Sequence, residues 1–422
     1  MTRQSLDLHA RQPQPVSAID LLRDMAMRLT LGAAFIALMS GKLMPVSIGP
    51  IGTSVVELGV VALIVSSFLI ARGHDVTRAF VVFALISGVL LALSLPFNPV
   101  VRALRDYSQI FFCGGVIAGM FLDPRRFVES LVIVLAVILP YAVLYGVSEE
   151  ILFFDAPLAT NLLFNMRLPA LFLTAVLLVD ASRSIRKWWH VPFLLVLIVL
   201  VVKIRTRGFH LALMIEVLTM LLLMARKGGT SISPKKVAAL AVIFVGIAAL
   251  LSFSAVSQRY AFVQYLASDG LEAVTRDPSL GVRFLLWGIG LVEMGLDPVR
   301  HVFGLGFGHY LLLDPRGSGN YQYLPMWMIH NQVLSLYLTG GAILLITFSL
   351  FLRRLYRIAE NKDLFIVFVT ASVLYSLSTP VLGKVVDATI FWVCLGTIIG
   401  LRQADDAKQE VGDADSRARD AQ

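Results

Sequence analysis

The sequence predicts an all-α polytopic membrane protein of about twelve transmembrane helices, with one large outer loop between the ninth and tenth. Three observations lead there. Of 422 residues, 57% are hydrophobic and only 15% charged, with a mean hydropathy of +0.79. Soluble domains are about half apolar and a quarter charged, so a soluble globular enzyme and a disordered chain are both excluded. Apolar runs recur near the length that a bilayer core demands, about 20 residues. Between them, basic residues gather in alternate gaps, the pattern of loops kept on the cytoplasmic side.

The polar start, Met1–Asp20, reads as a cytoplasmic tail; it lacks a short apolar stretch followed by a small-residue cleavage site. Apolar runs then place helices at 21–43, 51–71, 79–97, 107–122, 127–147, 158–180, 191–203, 208–225, 237–256, 329–352, 364–382 and 388–401. Residues 21–401 form one polytopic domain, with 257–328 as its large loop. The segment 402–422, rich in Asp, Lys, Arg and Gln, is expected to be a disordered cytoplasmic tail.

Orientation follows from Lys and Arg in short loops. With the N-terminus inside, the inner loops hold clusters such as Arg183, Arg186 and Lys187, then Arg226, Lys227, Lys235 and Lys236, then Arg353, Arg354, Arg357 and Lys362. The short outer loops hold only Arg102, Arg105, Lys203, Arg205, Arg207 and Lys384. Both termini are therefore expected in the cytoplasm and the large loop outside. The net charge of +8 reflects this sorting, and without a basic face interleaved with aromatics a nucleic-acid partner is not expected. Cys113 and Cys394 lie inside apolar runs and read as small buried hydrophobes.

One cluster opposes the sorting rule. Lys203, Arg205 and Arg207 concentrate half of the outer short-loop charge at one helix mouth. An anionic ligand would compensate them; nearby carboxylates or lipid phosphates would do so equally well.

The large loop holds most of the remaining chemistry. His330 stands at the mouth of the tenth span, beside Asn331. The positive end of a helix disfavours imidazolium, so a neutral imidazole there can take a proton from a hydroxyl; an interfacial His bonded to a backbone carbonyl is the plainer alternative. Arg283 and Trp287, four apart, share a helix face, which suits a guanidinium over an indole. Gly304, Gly306 and Gly308 fit tight turns better than an anion nest, since His309 and Tyr310 follow where a phosphate loop needs Lys and Ser or Thr. Tyr310, Tyr321 and Tyr323 could stack on sugar rings; with Trp327 they could equally form an interfacial belt. His301 and His309 lack further ligands, so no metal is expected. Within the spans, Arg167 and Glu216 are intramembrane charges and a possible pair.

Taken together, these features resemble the O-antigen ligase and polysaccharide polymerase superfamily of bacterial envelopes. The matching features are about twelve spans with one large loop after the ninth; Thr206-Arg207-Gly208 at an outer helix mouth; Arg283 to Trp287, leading to Pro298 and Gly304-Leu305-Gly306; and His330-Asn331 followed by Leu334 and Gly340. The likeness is strongest from Lys203 to Gly341, and the first six spans match in hydropathy alone.

The resemblance implies a glycosyltransferase of the inner membrane with its site on the periplasmic face. The donor would be a glycan linked to undecaprenyl diphosphate. The acceptor would be a sugar hydroxyl, on lipid A-core in a ligase or on another lipid-linked repeat unit in a polymerase. Arg207 and Arg283 would hold the diphosphate, with Arg205 and Lys203 as helpers. His330 would act as base, with Asn331, Trp287, Tyr310, Tyr321 and Tyr323 along the glycan. The chemistry is coherent without a metal or cofactor: a diphosphate is a good leaving group whose developing charge arginines stabilise, and the acceptor needs a base within reach. The alternative from another class is a transporter or flippase, with Arg167 or Glu216 lining a pathway.

Overall fold

The computed structural model describes residues 45–48, 51–71, 73–146, 158–204, 206–226, 278–313, 322–325, 331–377 and 385–400. Helices dominate these residues. Five are long and apolar enough to cross a bilayer: Asp75–Ser94, Pro124–Tyr145, Ala159–Ser182, Gly208–Arg226 and Gln332–Ile358. Three shorter apolar helices accompany them: Glu57–Ile70, His190–Lys203 and Val385–Gly400.

In chain order, the hairpin β1 (Pro45–Ile48) and β2 (Ile51–Ser54) leads into α1 (Val55–Ile70). Then come α2 (Asp75–Ser94), α3 (Val100–Phe112), α4 (Gly115–Met120), α5 (Pro124–Tyr145), α6 (Leu158–Asn165), α7 (Arg167–Ser182), α8 (His190–Lys203) and α9 (Arg207–Arg226). After a gap follow α10 (Pro278–Met294), α11 (Pro298–Phe303), the hairpin β3 (Tyr310–Leu313) and β4 (Gln322–Pro325), α12 (Gln332–Ile358) and α13 (Lys362–Ser376). The last is α14 (Val385–Gly400).

Local sequence explains the helix starts. Asp123 accepts from the Arg126 N–H at 2.9 Å, with Pro124 in the first turn of α5. Asn361 does the same for Leu364 at 3.1 Å in α13. The run 107–122 is not one span. It is divided between α3 and α4 at Cys113 and Gly114, where the backbone tightens into i→i−3 hydrogen bonds such as Gly114 N–H to the Phe111 carbonyl at 2.9 Å.

α7 is buried on nearly every side from Leu168 to Val179, as a helix apolar all round should be. It packs against α9 and α13. α2 packs along α12, where the Phe83 and Phe351 rings stack at 5.0 Å. Gly119 of α4 meets Gly396 of α14, with Gly115 against Trp392 and Gly400 against the Met120 backbone. A Cβ on Gly119 or Gly396 would collide with the opposing backbone, so small residues here set how closely the two helices approach.

Two features go beyond the helical expectation. The segment 257–328 is not merely a connection, since it holds α10, α11 and one hairpin. Both hairpins are additions to the helical body; among the described residues their four-residue strands pair only with each other, and they are too short to show an alternating pattern. The expected helices at 21–43 and 237–256, and the tails 1–20 and 402–422, lie outside the described residues.

Candidate functional site

The described part of the large loop is assembled onto the head of α12. Asp297 caps α11 by accepting from the Val299 N–H at 2.9 Å. Gly304 ends that helix at φ +79°, and Gly306 and Gly308 also sit at positive φ, so the three glycines shape the turn. α12 itself is broken at Gly340 and Gly341, the latter at φ 61°, ψ −158°. The break leaves carbonyls above it available. The loop takes them: Leu305 N–H donates to the Leu338 carbonyl at 2.7 Å and Gly306 N–H to the Thr339 carbonyl at 3.0 Å.

The other edge of this glycine strip is held by α2 and α3. Asn98 donates from Nδ2 to the Leu305 carbonyl at 3.3 Å. Ser94 Oγ accepts from Phe307 N–H at 3.0 Å, and Asp106 Oδ2 accepts from Gly308 N–H at 2.9 Å. A Cβ on Gly308 would come within 2.5 Å of the Ala103 amide nitrogen, so only glycine lets the strip lie this close. Burial raises the Asp106 carboxyl to about 6, against the lowering effects of the Gly308 amide and the Arg105 charge. Tyr310, at the start of β3, lies under the Arg102 guanidinium at 4.6 Å. Burial, aided by the Asp106 charge, raises its phenol.

α10 lies against the same part of α12. Leu286, Met294, Leu311 and Leu338 form a buried cluster, with Trp287, Leu305, Leu334 and Tyr337 packed around it. Arg283 is half-buried on this helix, and the Trp287 ring meets Phe284 edge-on at 4.9 Å. His301 Nε2 lies 3.0 Å from the Gly295 carbonyl, to which it donates, so its Nδ1 accepts from the Tyr337 hydroxyl at 2.6 Å. His309 pairs with Glu293 at 2.6 Å. The Asn331 side chain is held by the fold: it accepts from Leu334 N–H at 3.0 Å and so caps α12.

The second locus is the mouth of α8 and α9. Lys203 ends α8 half-buried, and Arg207 opens α9. Nearby, Arg167 donates to the Tyr375 hydroxyl at 2.9 Å and lies 4.2 Å over the Phe164 ring. His210 Nε2 bonds the Val201 carbonyl at 3.0 Å. Glu216 is fully buried, and neither of its oxygens has a hydrogen-bond partner among the described residues. No ion pair joins it to Arg167 among those residues. α13 packs against both α9 and α12 and so links the two loci.

The structure therefore places Arg283 and Trp287 on α10, Tyr310 at the start of β3 and Asn331 at the cap of α12, elements that meet through Leu286, Leu311 and Leu338. His330, Arg205 and Tyr321 lie outside the described residues, as do the side chains of Arg207 and Tyr323. Sequence reasoning missed Asp106, which anchors the strip, and with it Ser94 and Asn98. The signal available was Arg102, Arg105, Asp106 and Gln109 at helical spacing just before an apolar run. Among the described residues, no three His, Cys, Asp or Glu side chains cluster as metal ligands do.

No protein-family model matches the chain, and no curated protein matches it.

Proposed function

We propose that the protein is a polytopic glycosyltransferase of the bacterial inner membrane. It transfers a glycan from an undecaprenyl-diphosphate carrier to a sugar hydroxyl on the periplasmic face, as a ligase or polymerase of the O-antigen type. About twelve helices, cytoplasmic termini and a periplasmic large loop belong to the same reading. Arg207 and Arg283 hold the diphosphate and stabilise its departing charge. His330, immediately before the cap of α12, takes the acceptor proton. The carbon–oxygen bond to the diphosphate breaks as the acceptor oxygen bonds to the anomeric carbon, and attack from the opposite face inverts that centre.

The observation that carries this reading is the union of Arg283, Trp287, Pro298 and Gly304–Gly306 with the head of α12, through α10 packing and the Leu305 and Gly306 amides. Residues far apart in sequence, matched to the resemblance one motif at a time, share one unit at a helix mouth. The test is deletion followed by analysis of carrier lipids: finished polymer accumulates for a ligase and single repeat units for a polymerase. Complementation by stably inserted Arg207→Ala, Arg283→Ala or His330→Ala at full activity would overturn the assignment.

Glu216 favours a second reading, transport of a lipid-linked glycan or small solute, because a buried carboxyl in a membrane-crossing helix is costly without a role. Flux in reconstituted vesicles that is lost in Glu216→Gln would support it over transfer.

A further inference from the structure

A small cavity lies between α3 and α12, under the glycine strip. Its polar wall is Asp106 and Gln109 from α3 with Ser335 and Thr339 from α12; Phe307 and Leu344 are among the apolar residues that close it. Asp106 and Gln109 are three apart and Ser335 and Thr339 four apart, so each pair occupies one helix face. The strip pins one carboxylate oxygen of Asp106 through the Gly308 amide. The other, Oδ1, has no hydrogen-bond partner among the described residues, although Asp106 is only 5% exposed. A buried polar oxygen left without a partner is costly. The neighbouring cations do not supply one: Arg102 is engaged on the Tyr310 ring, and Arg105 makes no ion pair with Asp106 among the described residues. On the side of α10 and the strip, His309 is paired with Glu293.

All four polar lining side chains carry an oxygen, and only one is a carboxylate. Oxygen donors suit hard cations. Calcium sites typically gather several carboxylates, and magnesium keeps much of its water, so one formal negative charge in a small enclosure fits a monovalent ion better. We propose that this cavity binds a monovalent alkali cation through Asp106 Oδ1, the Gln109 side-chain oxygen and the Ser335 and Thr339 hydroxyls. The bound ion ties α3 to α12 and, through Gly308, fastens the loop unit to both. This inference stands apart from glycan transfer, because its readout is stability.

The experiment uses the full chain in lipid nanodiscs, in choline chloride at fixed ionic strength and at a pH where carboxylates are ionised. Thermal unfolding is followed while choline is replaced by sodium, lithium or potassium. A ligand that binds only the folded state raises the midpoint in a saturable way. The expected result is a saturable rise that differs among the three ions. Asp106→Asn should abolish it, and Ser335→Ala or Thr339→Val should weaken the apparent affinity by about tenfold or more. The last two variants keep the test decisive if Asp106→Asn fails to fold. The proposal is overturned by a midpoint indifferent to ion identity, by a rise retained in all the variants, or by a response to calcium alone. Stabilisation by acid with no ion selectivity would also overturn it, identifying a proton as the ligand.

Discussion

Replacing Gly341 by Ala should undock the loop from α12 without touching any residue assigned to chemistry. At φ 61° and ψ −158° an L side chain is strained by about 1–3 kcal/mol. A Cβ there would also collide with the Val302 carbonyl and lie 2.6 Å from Phe303 N. These are backbone atoms and cannot rotate aside, so α11 must move. That movement carries away the Leu305–Leu338 and Gly306–Thr339 hydrogen bonds, each worth about 1 kcal/mol net. The combined penalty is about 3–5 kcal/mol, which raises the population of the undocked strip by between about a hundredfold and several thousandfold. Trypsin reports this directly, since Arg300 lies within α11 and cleavage of a transiently open segment tracks its open population. Gly288→Ala is the control: a Cβ there meets nothing within 4 Å, so cleavage should stay at the wild-type rate. If Gly341→Ala is cleaved after Arg300 no faster than Gly288→Ala, the docking described above is wrong.

Three further outcomes follow from the same contacts. Asp106→Ala leaves the Gly308 N–H buried without an acceptor and should loosen the strip by about 1–3 kcal/mol, read as faster hydrogen exchange at Gly308, whereas Asp106→Asn keeps an accepting oxygen and should lose less. Asn331→Ala should cost about 1 kcal/mol through the lost cap, visible as a lower unfolding midpoint, and Asn331→Asp should restore it; glycan transfer lost in both variants would show that Asn331 also touches substrate. Tyr375→Phe removes one hydrogen bond of the Arg167 guanidinium and should destabilise by about 1.5–3 kcal/mol in a denaturant titration in micelles, while leaving the α12 head unaffected.

Much of the helical framework was legible because a bilayer imposes a length, and long apolar runs carry it. The expected span 191–203 matches α8 within one residue, and 208–225 matches α9 as closely. The turn role of the three loop glycines was legible for a similar reason: few residues other than glycine tolerate positive φ. What escaped depends on contacts distant in sequence. α10 falls inside the expected large loop, where the spacing of Arg283 and Trp287 marks a helix face but not its place; packing on Leu338 supplies that. Asp106 carries no signal of its role in the sequence; its partner, Gly308, is about two hundred residues away. The candidate site was legible as residue types and their order, through Arg283, Trp287 and His330-Asn331. The cap formed by Asn331 was not, because the same side chain suits a ligand and a helix start equally well.

The break in α12 also bears on how the chain is made. A helix interrupted at Gly340 and Gly341 carries open carbonyls that hydrocarbon would punish. The amides that close them belong to Leu305 and Gly306, which leave the ribosome before α12 does. The patch is thus already made when the gap arrives, and biosynthesis can tuck an imperfect helix into lipid with its repair piece at hand. Moving residues 298–309 to a position after α12 in a permuted gene would reverse that sequence and expose the gap to the insertion machinery.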